Sequence, residues 1–260
     1  MRGHFAGTAG NAPAHSDCAG CGFAAWLQPA GLRPEQLALI ERITLHRCTV
    51  RRNQYLVHAG DALQSLYIVN SGSVKTSMPD QDGREQLVGF ALPGEVVGIE
   101  AIATGRYPDS IVALEDTSCC GVHFVDLLRL SAHMPRLQRH IFLTMSSEIA
   151  HNHELILMLG GMRAEKRFAA FLVNLLNRHA ARGYSARRIR LSMTRQDIGN
   201  YLGLQLETVS RLLTYFRNER ILDVNGREIT LRDIDRLRRV CDGTYGRMPW
   251  ARTHAASARQ

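Results

Sequence analysis

Long apolar runs are missing from this chain of 260 residues. None of its hydrophobic stretches approaches the ~20 residues that a membrane-spanning helix needs. Residues 1–17 also lack the apolar core that a signal peptide requires. We therefore expect a cytoplasmic protein that has no membrane partner.

Catalytic signatures are missing as well. The patterns G-x-S-x-G, H-E-x-x-H and the P-loop are absent, and the 11 histidines are scattered along the chain. Enzymes of those classes need such groups at spacings that bring a nucleophile, a base or a metal together. His151 and His153 flank Asn152 in a helical stretch, which favours exposed positions over a metal site. We expect that the protein is not an enzyme.

Cysteine occurs at only six positions. In a reducing compartment, so few cysteines in a chain of this size are better interpreted as metal ligands, redox groups or small buried side chains than as a disulfide framework. Cys241, in a C-terminal helical stretch, is expected to be structural.

Basic side chains are concentrated towards the C-terminus. Residues 1–160 carry 12 Lys and Arg against 15 Asp and Glu, a net charge of −3, whereas residues 161–260 carry 20 against 9, a net charge of +11. A strongly basic segment indicates a polyanionic partner. A basic face that serves only solubility is the alternative.

Short β-branched and apolar runs fill residues 48–125, and turn signals separate them. Glycine recurs every 11 or 12 residues between positions 60 and 94. This regular spacing predicts an antiparallel jelly roll, because several tight turns between strands require the positive φ that glycine tolerates. We place this domain at residues 31–126, with a short helix near its start, after a flexible cysteine-containing segment at 1–30.

A helical period follows at residues 127–160. Apolar side chains recur at steps of three and four, as in the seam of a coiled coil, and one polar residue interrupts them. Such a residue fixes the register between two chains at some cost in stability. The alternative is an amphipathic helix that packs within its own domain. The predicted dimer interface consists of Phe142, Met145, Ile149, Asn152, Ile156 and Leu159.

Residues 194–219 have the pattern of a helix-turn-helix. Thr194 and Asp197 are spaced as a capping box that opens a helix. Gly203 suits the left-handed conformation of the turn between two helices. The second helix starts near Leu206, although Gln205 is a poor N-cap. We place this domain at residues 161–242 and expect a disordered tail at 243–260.

The outer face of the second helix carries Glu207, Ser210 and Arg211, spaced i, i+3 and i+4. A recognition helix presents side chains to base edges at this place. Arg211 can donate two hydrogen bonds to guanine O6 and N7, and Glu207 can accept one from cytosine N4. Thr194 and Arg195 complete the predicted DNA-binding set. A helical hairpin with exposed charges is the alternative.

A hairpin follows the second helix. Apolar runs flank Asn225-Gly226, which predicts a type I′ turn. Helix-turn-helix and hairpin together predict a winged helix. The predicted fold class is α+β: an N-terminal β jelly roll, a long dimerisation helix and a C-terminal winged helix-turn-helix.

Five stretches of the sequence are distinctive: LYIVNSGSVK (66–75), GFALPGEVVG (89–98), ALE (113–115), TRQDIGNYLGL (194–204) and ETVSR (207–211). With them the chain resembles the FNR branch of the CRP/FNR family of bacterial transcription regulators, over roughly residues 18–232. The resemblance implies a homodimer that binds double-stranded DNA at a TTGAT-type palindrome, with Glu207, Ser210 and Arg211 as base readers, and that contacts RNA polymerase.

The resemblance also implies an oxygen-sensing [4Fe-4S] cluster, for which the family uses a C-x2-C-x5-C run and a distant fourth cysteine. Cys18, Cys21 and Cys120 match three of these positions, but Leu27 stands at the remaining one and cannot bind iron. The interpretations that stay open are a site completed by another ligand, a flexible thiol pair, a remnant site and a zinc site. The completing ligands considered are Cys48, Cys119, His15 and an external group.

Cyclic nucleotide is the rival effector in this family, whose responsive members hold the phosphate with an Arg-Ser pair. Asp109-Ser110 occupies that place here, and a carboxylate repels a phosphodiester. We therefore expect no cyclic nucleotide, and Glu95 alone is weak support for one. A constitutive or small-molecule-responsive regulator without a cluster is the alternative. A non-specific architectural DNA-binding protein is the alternative from another class.

Overall fold

The computed structural model describes residues 22–79, 85–185 and 187–241. Predictions for residues 1–21 and 242–260, which include Cys18, Cys21 and His15, lie outside these ranges. Eight strands form the first half of the described chain: β1 (Leu45–Val50), β2 (Tyr55–Val57), β3 (Ser65–Ser71), β4 (Val74–Pro79), β5 (Glu85–Ala91), β6 (Val96–Val97), β7 (Ser110–Ala113) and β8 (Thr117–His123).

The eight strands form two antiparallel sheets with the orders β1-β8-β3-β6 and β2-β7-β4-β5. Apolar side chains such as Val69 and Ile111 fill the space between the sheets. Successive residues of a strand point to opposite faces, so Ile68 instead faces the helices outside the first sheet. The predicted jelly roll is confirmed.

Gly72 makes the tight connection from β3 to β4. Its φ is 80°, and a Cβ at this position would lie 2.5 Å from Thr117 Oγ1. Only glycine meets both demands at low cost, since it has no Cβ and adopts positive φ freely. The glycine-based turn that the sequence predicts at this position is confirmed.

Helices cover the outer face of the first sheet. They are α1 (Gly22–Leu27), a 3-10 turn (Gln28–Ala30), α2 (Pro34–Thr44) and α3 (Phe124–His133). Phe23 and Leu27 of α1 are each 1% exposed and pack with Ile40 of α2. A second 3-10 turn (Ile99–Ile102) follows β6.

The long helical stretch is divided at Met134. Helix α4 (Pro135–Gly161) begins with the proline. Proline disfavours a helical conformation in the residue before it, and Met134 accordingly has φ −129° and ψ 87°. Helix α4 ends at the Gly160-Gly161 pair, and α5 (Ala164–Ala180) follows after two residues.

The C-terminal part combines helices with a three-stranded sheet. The elements after α5 are β9 (Arg188–Arg190), α6 (Arg195–Leu202), α7 (Leu206–Asn218), β10 (Leu222–Asn225), β11 (Glu228–Leu231) and α8 (Ile234–Val240). The sheet has the order β10-β11-β9. Phe168 of α5 and Phe216 of α7 stack in the core, with ring centroids 6.0 Å apart and an interplanar angle of 17°. The predicted winged helix is confirmed.

The turn of the wing differs from the prediction. Asn225 pairs with Glu228 at the end of the strands, so Gly226 and Arg227 are the central residues. Of these, only Gly226 has a positive φ, which fits a type II′ turn rather than a type I′ turn on Asn225-Gly226. The type I′ register would place Asp223 opposite Glu228, and like charges directly opposite each other are destabilising.

The two halves share one apolar cluster. Leu87, Phe90 and Leu92 of the β5 region pack against the helices of the C-terminal part. Among the described residues, no helix is both long and apolar enough to cross a membrane. The domain limits at 31–126, 127–160 and 161–242 stay predictions.

Candidate nucleic-acid interface

The first helix of the motif, α6, opens with a complete capping box. The Thr194 hydroxyl accepts a hydrogen bond from the Asp197 amide at 3.0 Å, and Asp197 Oδ2 accepts one from the Thr194 amide at 2.9 Å. Burial alone would raise the pKa of Asp197, but hydrogen bonds from Lys75 and Thr194 hold it below its usual range. Thr194 is exposed, and its side chain fixes the start of α6.

The turn between α6 and α7 requires two glycines. Gly203 adopts φ 61° as the C-cap of α6. A Cβ on Gly199 would lie 2.6 Å from the carbonyl oxygen of Leu204, because the chain folds back onto the helix there. These contacts set the angle at which α7 leaves the turn.

Helix α7 is amphipathic, and its exposed face carries the predicted base readers. Glu207 and Arg211 are exposed, and Ser210 between them is half-buried. The guanidinium of Arg195 donates to Ser210 Oγ at 3.2 Å, so the first residue of α6 contacts the outer face of α7. The opposite face packs Val209, Leu213 and Phe216 into the core. The structure therefore brings four of the five predicted DNA-binding side chains, Arg195, Glu207, Ser210 and Arg211, onto one surface.

Further arginines that the sequence reasoning missed lie on the wing sheet. Arg188 on β9 and Arg227 in the wing turn are exposed. Arg227 donates to the Ser192 carbonyl at 3.2 Å, next to the start of α6. No acidic partner is recorded for Arg188, Arg211 or Arg227 within the described part of the chain, whereas Arg232 is paired with Asp223. The alternation Arg188-Ile189-Arg190 was the available signal.

The jelly roll contacts the motif directly. The Asn200 side chain of α6 accepts a hydrogen bond from the Leu87 amide at 2.6 Å and donates one to the Glu85 carbonyl at 2.9 Å. Lys75 of β4 forms a 2.8 Å ion pair with Asp197. Helix α6 therefore cannot shift relative to β4 and β5 without breaking polar contacts.

A half-buried ion cluster makes a second connection between the halves. Glu95, after β5, accepts from Arg178 Nε at 2.8 Å and from Arg182 Nη2 at 2.5 Å. Arg178 lies in the last turn of α5, and Arg182 follows the end of that helix. Burial alone would raise the pKa of Glu95, but the two guanidinium charges outweigh it and hold the pKa at about 2. Glu95 thus stabilises the contact between domains.

Helix α4 leaves an apolar stripe in solvent. Phe142 is 61% exposed and Ile156 is 66% exposed. Ile149, Asn152 and Leu159 are also exposed and Met145 is half-buried, so all six predicted seam residues share this side. On the inner side, burial and the charge of Arg178 lower the pKa of His151 to about 4.

The four cysteines in the described part of the chain are not gathered at one place. Cys120 of β8 is 3% exposed and packs with Leu27, which fills the core where the family has a cysteine. Cys48 and Cys119 lie on the other face of the same sheet, between the two sheets. Their side chains therefore point away from Cys120, so this arrangement does not favour Cys48 or Cys119 as the completing ligand. No group of three metal-ligating side chains occurs among the residues of the three described ranges.

The position of the family's phosphate-binding arginine holds a buried carboxyl. Asp109 is 8% exposed, and no described residue forms a hydrogen bond with its Oδ1. Burial, with the nearby carboxylate of Glu100, raises its pKa to about 6. Ser110 accepts from the Ala59 amide at 3.0 Å. This donor set does not fit a cyclic phosphodiester, because it offers acidic oxygens where the ligand needs a cation.

Two family models match the chain. A Crp-like helix-turn-helix domain matches residues 166–240, and a cyclic nucleotide-binding domain matches residues 47–133. The helix-turn-helix match contains α6 and α7, and the cyclic nucleotide-binding match contains the strands β2 to β8.

Known proteins resemble the chain over most of its length. The anaerobic regulatory protein of Pasteurella multocida is 43% identical over 217 residues, which cover 84% of this chain and 80% of that protein. The fumarate and nitrate reduction regulatory protein of Escherichia coli is 40% identical over 87% of this chain and 91% of its own length. The solved structure of FixK2 from Bradyrhizobium japonicum is 31% identical, has a TM-score of 0.70, and covers 76% of this chain and 98% of its own.

Proposed function

The chain belongs to the CRP/FNR family of DNA-binding transcription regulators, and from this premise we propose that it reads a TTGAT-type palindrome as a homodimer and contacts RNA polymerase there. The observation that carries the proposal is the exposed face of α7, where Glu207 and Arg211 stand free of the core on either side of Ser210.

Specific reading follows from the chemistry of these side chains. Arg211 donates to O6 and N7 of a guanine in the major groove, and Glu207 accepts from N4 of a cytosine. A carboxylate at this place is repelled by phosphates, so Glu207 is best explained as a base reader. The guanidinium of Arg195 donates to Ser210 Oγ on the same face. Arg188 and Arg227 supply positive charge on the wing side, where phosphate contacts position a protein without selecting a sequence.

Dimerisation places two such faces on the same side of DNA. The exposed seam of α4 is apolar apart from Asn152, and two copies bury it against each other. A test uses Ile149→Glu, with Leu143→Glu as its control because Leu143 is also exposed on α4 but lies outside the seam pattern. Sedimentation should show monomers for Ile149→Glu and dimers for Leu143→Glu. Equal effects would contradict the assignment.

Gel-shift competition at one fixed salt concentration tests the reading of DNA, because phosphate contacts make affinity salt-dependent. The palindrome should compete better than a duplex with one changed base pair in each half-site, by a factor that reflects ~1–3 kcal/mol per pair. Scrambled DNA that competes as well as the palindrome would establish the architectural alternative. Transcription in vitro with purified RNA polymerase tests the proposed contact with the polymerase, because the protein should then change the amount of transcript from a promoter that carries the palindrome.

An oxygen or redox response is a second candidate, favoured by the names of the relatives. Gly22, the residue after Cys21, packs on Val69 and donates to Asn70 Oδ1 at 2.8 Å. Ile68, beside Val69, is the cross-strand partner of Cys120. The test of a cluster is to add iron and sulfide to the protein under anaerobic conditions and to record its visible absorption. Visible absorption that Cys120→Ala abolishes would support a site on Cys18, Cys21 and Cys120, and a colourless protein would favour a regulator without a cluster.

A further inference from the structure

Cys48 and Cys119 stand directly opposite each other in the first sheet. They are cross-strand partners in the antiparallel pairing of β1 with β8. Cα atoms at opposite positions of such a pair lie ~4.5–5.5 Å apart. Disulfides span Cα separations of ~4.4–6.8 Å. The backbone can therefore accept a bond between the two sulfur atoms without moving the strands.

The two thiols also share one side of the sheet. Cys48 Sγ lies 3.5 Å from the Cys119 carbonyl oxygen, and both residues belong to the apolar cluster between the two sheets. Cys120 belongs to the cluster on the opposite side. Cys119 is therefore the only described cysteine that Cys48 can reach within the sheet.

Access differs between the two residues. Cys119 is fully buried, whereas Cys48 is half-buried and reaches solvent. A small oxidant can thus meet Cys48 first, and Cys119 is then in place to react with the product. A buried thiol beside an accessible one is the arrangement of an oxidisable cysteine with its resolving partner.

We propose that Cys48 and Cys119 form a reversible thiol–disulfide site that reacts with small hydroperoxides. The Cys48 sulfur attacks the terminal peroxide oxygen, the O–O bond breaks, and the leaving oxygen takes the Cys48 proton. The products are a sulfenic acid and an alcohol, or water where the substrate is hydrogen peroxide. The Cys119 sulfur then attacks the Cys48 sulfur, the S–O bond breaks, and the hydroxyl leaves as water with the Cys119 proton. Two thiols are oxidised and one hydroperoxide is reduced.

The bond ties together strands that are distant in sequence. It closes the segment from 49 to 118, which contains β2 to β7, and β8 runs directly into α3 at Phe124. Oxidised protein should therefore unfold at a higher urea concentration than reduced protein, since the cross-link restricts the unfolded chain. The site does not involve Cys18, Cys21 or Cys120 and does not depend on DNA binding.

Peptide mapping of the oxidised full chain tests the site. Reduced protein is treated with hydrogen peroxide, remaining thiols are alkylated, and trypsin is added. Cys48 then lies in peptide 48–51, and Cys119 shares peptide 107–129 with Cys120. The expected product is these two peptides linked, lighter by two hydrogen atoms than their sum and separated again by a reductant.

Variants identify the partner. The linked peptide should persist in Cys120→Ala and in the control Cys241→Ala, and it should disappear in Cys119→Ala. Loss of the link in Cys120→Ala, a link from Cys48 to another peptide, or no link in wild-type protein would overturn the proposal. The wild-type and Cys120→Ala results decide the matter even where Cys119→Ala fails to fold.

Discussion

Replacing Glu95 with glutamine removes the negative charge that joins the jelly roll to α5. The folded protein holds the pKa of Glu95 at about 2, against 4.5 for an ordinary glutamate. Each pKa unit is worth ~1.36 kcal/mol, so the charge contributes up to ~3.4 kcal/mol at neutral pH. The side chain keeps 22% exposure, and solvent screening reduces the expected loss to ~2–3 kcal/mol.

The stability difference between wild type and Glu95→Gln should depend on pH in a direction that identifies the Glu95 charge as its cause. A carboxyl whose pKa is lowered by folding stabilises the protein above its unfolded pKa, and this contribution disappears as the pH falls towards the folded pKa. The difference between wild type and Glu95→Gln should therefore be complete at pH 7. It should shrink to less than half of that value at about pH 3.

Urea unfolding at fixed protein concentration measures this difference. Far-ultraviolet circular dichroism reports the helices. Tryptophan fluorescence, to which the buried Trp26 contributes beside Trp250, reports the core against the outer face of the first sheet. Glu228→Gln is the control, because Glu228 is an exposed carboxylate on the wing. A Glu95→Gln protein as stable as wild type at pH 7, or one whose loss of stability is the same at pH 3, would show that the Glu95 charge does not stabilise the fold.

Three further outcomes follow from the C-terminal part. Arg211→Ala should lower the preference for one guanine by ~1–3 kcal/mol. Competition with base-substituted duplexes measures this preference. An equal loss of affinity for every DNA sequence would show that Arg211 contacts phosphate instead. Gly199→Ala should disrupt the motif, because its Cβ would lie 2.6 Å from the Leu204 oxygen; unchanged melting and DNA affinity would contradict the close approach. Phe168→Ala should lower the free energy of unfolding by ~3–5 kcal/mol, since the ring is fully buried against Phe216. A loss below ~1 kcal/mol in urea unfolding would argue against that packing.

Local patterns in the sequence predicted much of the fold. The Thr194–Asp197 capping box and the left-handed Gly203 depend on neighbours within a few residues, so residue types and spacing suffice to predict them. The alternation of apolar runs with glycine turns predicted the jelly roll for the same reason. The wing turn was placed one residue too early, because cross-strand pairing along β10 and β11 selects the register.

The candidate site was likewise predictable from the sequence only in part. Glu207, Ser210 and Arg211 were predictable because helical spacing alone puts them on one face. The sequence could not place Arg227 beside the start of α6, since that contact depends on how the wing folds back. Nor could it show Cys48 and Cys120 on opposite faces of one sheet, because that depends on strand pairing.

Residue types and their spacing alone predict the helices, strands and turns, the recognition face of α7 and the family resemblance. Each of these depends on residues that are close together in the sequence, either as a short-range periodicity or as a contiguous motif. Three features depend on the folded chain: Glu95 contacts Arg178 and Arg182, Asp109 is buried with no described hydrogen-bond partner for its Oδ1, and Cys48 lies opposite Cys119. Those contacts join residues tens of positions apart, and strand pairing and domain packing bring them together.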